Sequence, residues 1–159
     1  MDWRPGDLGA ETNSSFVARL IQFGQVLHGN RHWHWNHIFV VTTAAGDTVE
    51  AMGRGVARGR VGDRKVLNLG CPPGVDRQKV VAFAESKVGV LYNYLGVVLL
   101  GIDALFHTRF HTKARGPLFC SELGAEALAA GGWTSSKSAA LEYPADLVDA
   151  LSKGQTSRP

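Results

Sequence analysis

The clearest hydrophobic signal is an unbroken run, His37-Ile38-Phe39-Val40-Val41-Thr42, whose β-branched and aromatic content predicts a buried strand. The turn residues Ala45-Gly46-Asp47 close it and predict a hairpin with a return strand over 48–52. Elsewhere the apolar period lengthens to that of a helix. Ser14 or Ser15 can cap a first helix whose Phe16, Leu20 and Phe23 form a core stripe ended by Gly24. Asp76 can cap a second over 77–88, with Val80, Val81, Phe83 and Ala84 on its apolar side. An extended Gly116-Pro117-Leu118-Phe119 leads into the helical run Cys120-Ser121-Glu122-Leu123-Gly124-Ala125-Glu126-Ala127-Leu128, which should stop at Gly131-Gly132. Pro144 suits the first turn of a last short helix containing Leu147, Val148 and Leu151, and the polar residues after it are expected to fray. Together these elements predict an α+β fold: helices on a small antiparallel sheet, one domain over 1–151 and a flexible tail over 152–159. There is no internal repeat and no low-complexity block.

Composition agrees with a single compact domain, at 159 residues, 45% hydrophobic and 19% charged. With only two cysteines, and Cys71 held in a rigid Gly-Cys-Pro-Pro-Gly loop, no disulfide framework is implied; a reducing compartment, cytoplasmic by default, is expected. The opening Met-Asp-Trp-Arg-Pro-Gly-Asp lacks a secretory pattern, so export or viral delivery would need other help. Residues 88–106 approach the length of a bilayer span, but Gly89, Gly96, Gly101 and Asp103 favour a buried helix-loop or a sticky groove wall, with membrane-surface contact through 95–106 as the lipid option.

Candidate chemistry starts at Cys120. A thiol at a helix N-terminus feels the positive end of the macrodipole, which favours thiolate, and the first-turn N–H groups can hold an oxyanion. His37 is the best base, and Glu50, the only acid inside either hairpin strand, would orient the imidazole and stabilise its charged form. A hairpin closed symmetrically about Ala45-Gly46 puts Glu50 on the same face as His37 but across from Val41. That leaves roughly 13 Å of strand between them, so a bulge, an asymmetric loop or strong twist must shorten the gap.

The order of these residues resembles the circularly permuted branch of the NlpC-type, papain-like cysteine hydrolases, which includes YiiX-like proteins and lecithin:retinol acyltransferase. Pro5-Gly6-Asp7-Leu8 resembles its first strand, Ser15-Phe16-Val17-Ala18-Arg19-Leu20-Ile21 its first helix, Asn36-His37-Ile38-Phe39-Val40-Val41 its histidine strand and Val49-Glu50-Ala51 its third-residue strand. Tyr92-Asn93-Tyr94-Leu95-Gly96 and Phe119-Cys120-Ser121-Glu122-Leu123 resemble the segments that precede and carry the nucleophile. The resemblance implies a permuted papain-like fold and a thiol hydrolase, an amidase or peptidase directed at cell-wall peptides, working through a Cys120-His37-Glu50 triad and a thioester. A lipid acyltransferase or esterase on the same triad is the alternative. It also implies a role for Tyr94 in binding substrate or, with the Cys120 N–H, the oxyanion. Phe39 stands where the family often has a small residue and is expected to narrow the substrate groove. Trp35, with Trp33, is expected to wall that groove. No metal or organic cofactor is required.

Two other classes compete. His28, His32, His34 and His37, with His107 and His111 one helical turn apart, could build a transition-metal site. Arg54, Arg58, Arg60, Arg64 and Lys65, in a chain of net charge +3 and pI about 9.1, could bind nucleic acid or an anionic surface. Four glycines make that stretch look flexible, and without stacking aromatics nucleic acid is the weaker reading. A catalytically silent structural module is the remaining option.

Overall fold

The computed structural model describes residues 2–14, 16–27, 29–91, 119–134 and 144–156. The predicted positions Tyr94, His28, His107 and His111 and the apolar 95–106 segment lie outside them. Strands β1 (Leu8–Glu11), β2 (His37–Val41), β3 (Asp47–Met52), β4 (Gly55–Arg60) and β5 (Val66–Gly70) form one sheet in the order β4-β3-β2-β1-β5, every neighbour antiparallel. Among the described residues the helices are α1 (Phe16–Leu27), α2 (Arg77–Ser86), α3 (Cys120–Ala130) and α4 (Pro144–Thr156). The expected α+β class, with helices on a small antiparallel sheet, is what the chain adopts.

Alternation along the strands gives the sheet two different faces. Leu8, Ala10, Ile38, Val40, Val49 and Ala51 point to one side, where they join Val80 and Ala84 of α2, Leu123, Ala127 and Leu128 of α3 and Leu147 and Val148 of α4 in the main core. Helix α3 lies close against this face because Gly124 has no side chain: a Cβ there would stand 3.0 Å from Ile38 and 3.1 Å from Leu8. The other face carries His37, Phe39, Thr48, Glu50 and Glu11, with a small apolar cluster of Trp3, Phe39, Val41 and Val61 beside the polar groups.

Several local signals act as the sequence suggests. Asp76 accepts hydrogen bonds from the N–H groups of Gln78 and Lys79 at the start of α2, which ends at Ser86, two residues short of the predicted limit. Gly132, at φ +94°, ends α3: its N–H donates to Ala129 O and that of Trp133 to Leu128 O, the paired bonds of a Schellman ending.

Four expectations are corrected. Helix α1 runs past Gly24 to Leu27 because Gly24 is itself buried in the interface. Phe23 is not core but 55% exposed, since Ala18, Ile21 and Gln25 form the inward face. Gln25, fully buried, joins three segments: its Nε2 donates to Trp33 O and Trp35 O and its Oε1 accepts from Ala145 N–H at the start of α4. Helix α4 continues through Thr156, so helix occupies much of the stretch expected to be a tail from 152. Finally, the glycine-rich 53–62 stretch forms edge strand β4, paired with β3 along its whole length. Its outer side is met by the chain after α2, where Val56 N–H donates to Val90 O and Gly89 N–H to Val56 O, which covers part of an edge that would otherwise invite pairing.

Gly9 shows how tightly the second face is built. It pairs with Phe39, and a Cβ at Gly9 would stand 2.2 Å from the ring. Gly9→Ala is therefore expected to lower stability by about 3 kcal/mol through overpacking, read as a reduced urea midpoint with an unchanged slope.

Candidate functional site

Hairpin register sets the site. Thr42 N–H donates to Asp47 O, the Thr43 hydroxyl donates to the Asp47 carboxylate and accepts from its N–H, and Gly46 takes φ +85°. The loop is thus Thr43 to Gly46, centred between Ala44 and Ala45, one residue earlier than the symmetric closure expected from sequence. That displacement moves the pairing by two, so Glu50 lies opposite Phe39 instead of Val41. The expected gap closes: His37 Nε2 and Glu50 Oε2 are 3.1 Å apart.

His37 is pinned from behind by its neighbour. Asn36 is buried, accepts from Asn13 N–H, donates to Asn13 O and gives its own N–H to Glu11 O. As the first residue of β2, His37 can reach both Glu50 on its own face and Cys120 at the start of α3, which covers the other. With Nε2 on Glu50, Nδ1 is the ring nitrogen left for the thiol. Burial alone would push the imidazolium pKa down, but hydrogen bonding to Cys120 and Glu50 and the charges of both lift it from 6.5 to about 10. For Glu50, burial acts upward and is outweighed by hydrogen bonds from His37, Arg64 and Thr48, which leave the carboxyl at about 2. Both groups are therefore charged across the neutral range.

Arg64 completes the arrangement, and it belongs to the basic run that the sequence offered for binding nucleic acid or an anionic surface. Its Nη1 and Nη2 fork onto Glu50 at 3.1 and 2.7 Å, Nη1 also lies 3.1 Å from Glu11 Oε2, and Nε donates to Val61 O. Its guanidinium stands 5.0 Å above the Phe39 ring. Phe39 consequently does not narrow a groove: it is fully buried and serves as the floor under Arg64. Thr48 donates to the other side of Glu50. Gly59 makes the space, since a Cβ there would stand 2.7 Å from Glu50 Oε1 and 3.0 Å from the Thr48 hydroxyl. A glycine inside a strand is the sequence signal for such a close approach, whereas from sequence Gly59 reads only as a source of flexibility. The remaining basic residues do not form one free face: Arg58 pairs with Glu85 and Arg60 with Asp47.

Cys120 is the first residue of α3 and is 1% exposed. Its N-cap, Phe119, makes no side-chain cap, so no N-cap side chain competes for the N–H groups of the first turn. Cys71 stands apart, a half-buried thiol whose pKa burial pushes up, with Asp7 adding to the rise and Arg77 opposing it. The two cysteines are unbridged. Beside the Glu11–Arg64 end of the site opens a groove of about 560 Å³ lined by Glu11, Thr12, Asn13, Ser14, Trp35, Arg64 and Lys65.

Glu11, His37 and Glu50 are the cluster among the described residues whose ligand atoms could gather around a metal ion. The Arg64 guanidinium already bridges the two carboxylates, so a divalent ion would have to displace a fixed cation from a forked pair. The histidine-rich loop does not converge on this cluster through His32 and His34: His32 lies 3.1 Å from Asp149, and His34 packs its ring against Trp35 at 4.9 Å.

Compared with family models, with curated proteins and with solved structures, the chain matches none. The site is therefore read from its own geometry.

Two outcomes follow from the charges. The raised His37 contributes stability that is full below about pH 6.5 and is lost as pH rises toward about 10; the lowered Glu50 contributes stability that is full above about pH 4.5 and is lost as pH falls toward about 2. The stability difference between wild type and Glu50→Gln should accordingly peak between those inner limits and narrow on both sides, as measured by urea unfolding across pH. Arg64→Ala, which strands two buried carboxylates, should cost about 3 kcal/mol. Arg64→Lys should recover only part of it, because an ammonium cannot fork, and chemical denaturation of both variants tests this.

Proposed function

We propose that this chain is a thiol hydrolase of peptide or amide bonds, on a permuted papain-like fold, with Cys120 as nucleophile, His37 as acid and base and Glu50 as the group that orients His37. The observation that carries the reading is the buried cluster of Cys120, His37, Glu50 and Arg64, in which His37 bonds Glu50, Glu50 bonds Arg64, and Cys120, the first residue of a helix, is among the groups that raise the His37 pKa. A histidine–carboxylate pair that served stability alone would have no need of a thiol beside the imidazole. Here the imidazolium is flanked by thiol and carboxylate, the arrangement a thiol nucleophile and its acid–base partner need.

The thiolate attacks the substrate carbonyl carbon, and the carbonyl oxygen takes the charge. The Cys120 N–H at the positive end of α3 supports that oxyanion; Tyr94, the expected second donor, lies outside the described residues. Collapse breaks the carbon–nitrogen bond as His37 gives its proton to the departing amine, leaving a thioester on Cys120. Water then attacks with His37 accepting its proton, the acid leaves, and the thiol is restored. Glu50 keeps the ring turned with Nδ1 toward sulfur and balances its charge, while Arg64, Thr48 and the Phe39 floor keep Glu50 from turning away. The same steps would cleave an ester. The resemblance to cell-wall amidases directs the proposal to peptide amides. With the thiol 1% exposed, substrate entry requires the cover over Cys120 to open, so small electrophiles should react faster than bulky ones.

Labelling with iodoacetamide, read by intact mass and peptide mapping, tests the assignment. Wild type and Cys71→Ala should be modified at Cys120, Cys120→Ala should lose that label, and His37→Ala should slow it by about tenfold or more at neutral pH as the thiolate loses its partner. Reaction at Cys71 with an inert Cys120 beside an intact His37 would end the proposal.

A further inference from the structure

Helix α1 presents an apolar face to the outside. Arg19, Phe23, Val26 and Leu27 are spaced i, i+4, i+7 and i+8, so they share one side of the helix, opposite the inward Ala18, Ile21 and Gln25. Phe23 is 55%, Val26 51% and Leu27 45% exposed. The chain that follows is held against the same helix by side-chain amides, Gln22 Nε2 donating to His34 O and Gln25 Nε2 to Trp33 O and Trp35 O. That stretch exposes a further aromatic, Trp33, 46% accessible, in the loop that follows the helix. Single exposed apolar residues are ordinary; four on one helix and its adjoining loop form a patch that requires a partner.

Charge indicates the partner's kind. Between Glu11 and Asp47 the sequence has no carboxylate, and it carries Arg19 and Arg31, both exposed. Among the described residues neither arginine is in an ion pair. Asp149, an acid in contact with this loop, is engaged by His32. A helix side bearing three exposed apolar residues and an arginine, followed by a loop that exposes a tryptophan and a second arginine, has the composition of an interfacial contact, in which apolar groups enter the acyl boundary and cations meet the headgroup phosphates. Among the described residues no helix is long and apolar enough to cross a membrane.

We propose that the outer face of α1 with the 31–35 loop docks the protein on an anionic lipid surface. Phe23, Val26, Leu27 and Trp33 insert, and Arg19 and Arg31 engage phosphate. This face is distinct from the 95–106 segment that sequence suggested for lipid contact, and the proposal stands whether or not Cys120 is a nucleophile. It has a spatial consequence for the site. Trp35, two residues beyond Trp33, lines the groove beside Glu11 and Arg64, so docking brings that groove to the membrane.

Co-sedimentation of the full chain with vesicles of phosphatidylcholine alone, or of phosphatidylcholine with phosphatidylserine, tests it. Binding should require phosphatidylserine and weaken as salt is raised. Phe23→Ser combined with Trp33→Ser should reduce partitioning by about tenfold or more, and Arg19→Gln and Arg31→Gln by about fivefold each. All of these positions are exposed, so unchanged circular dichroism should accompany the losses, and Cys120→Ala should bind like wild type. The proposal is overturned if vesicles are not bound, if the variants bind as wild type does, or if size exclusion shows that Phe23→Ser dissociates a dimer, which would assign the face to a second copy of the chain.

Discussion

One buried carboxylate organises the polar half of this protein. Glu50 is shared between an imidazole and a guanidinium, with a threonine hydroxyl on its remaining side. An isolated ionised carboxylate at that depth would carry a desolvation penalty of several kcal/mol. It stays charged because two cations and a hydroxyl donor replace its water. The dependence is mutual: Arg64 is held between Glu50 and Glu11, and the high pKa of His37 rests on Cys120 and Glu50. Removing any member therefore leaves another buried group without its complement, which is a stronger coupling than the separate bonds would suggest.

The apolar half does a different job. Helix α3 lies flat on Ile38 and Leu8 through Gly124, which fixes the height of its first residue, Cys120, relative to the end of β2. The sheet carries His37 on one face and is covered by helix α3, which begins at Cys120, on the other. The two groups meet because His37 stands at the very start of its strand. Groups at the ends of packed strands and helices are held rigidly by the core.

Much of this was legible in the sequence wherever the signal is local. The histidine strand, the hairpin, the Asp76 cap, the Gly131-Gly132 ending and the helix-start position of Cys120 each depend on a few adjacent residues whose backbone preferences are strong. The hairpin register was not legible, because Thr43 and Asp47 close the loop by side-chain bonds that compete with the symmetric closure. Arg64 was hidden for another reason. Its neighbours Arg58 and Arg60 are ordinary exposed cations, and nothing in residue type distinguishes the one that turns inward; only the opposing acids Glu11 and Glu50, far away in sequence, do so. Phe23 was misplaced because Gln25, a polar residue, takes the inward position by satisfying three backbone groups, so a hydrophobic stripe alone gave the wrong side of α1.

Gly59 sits on an edge strand and touches nothing reactive through atoms of its own, yet a methyl group there would occupy the berth of the Glu50 carboxylate. Drift at this position would leave cysteine, histidine and glutamate all in place while evicting the acid from its pocket. An inventory of reactive side chains would then score such a protein as intact, although its proton chain had been cut by the arrival of a single carbon.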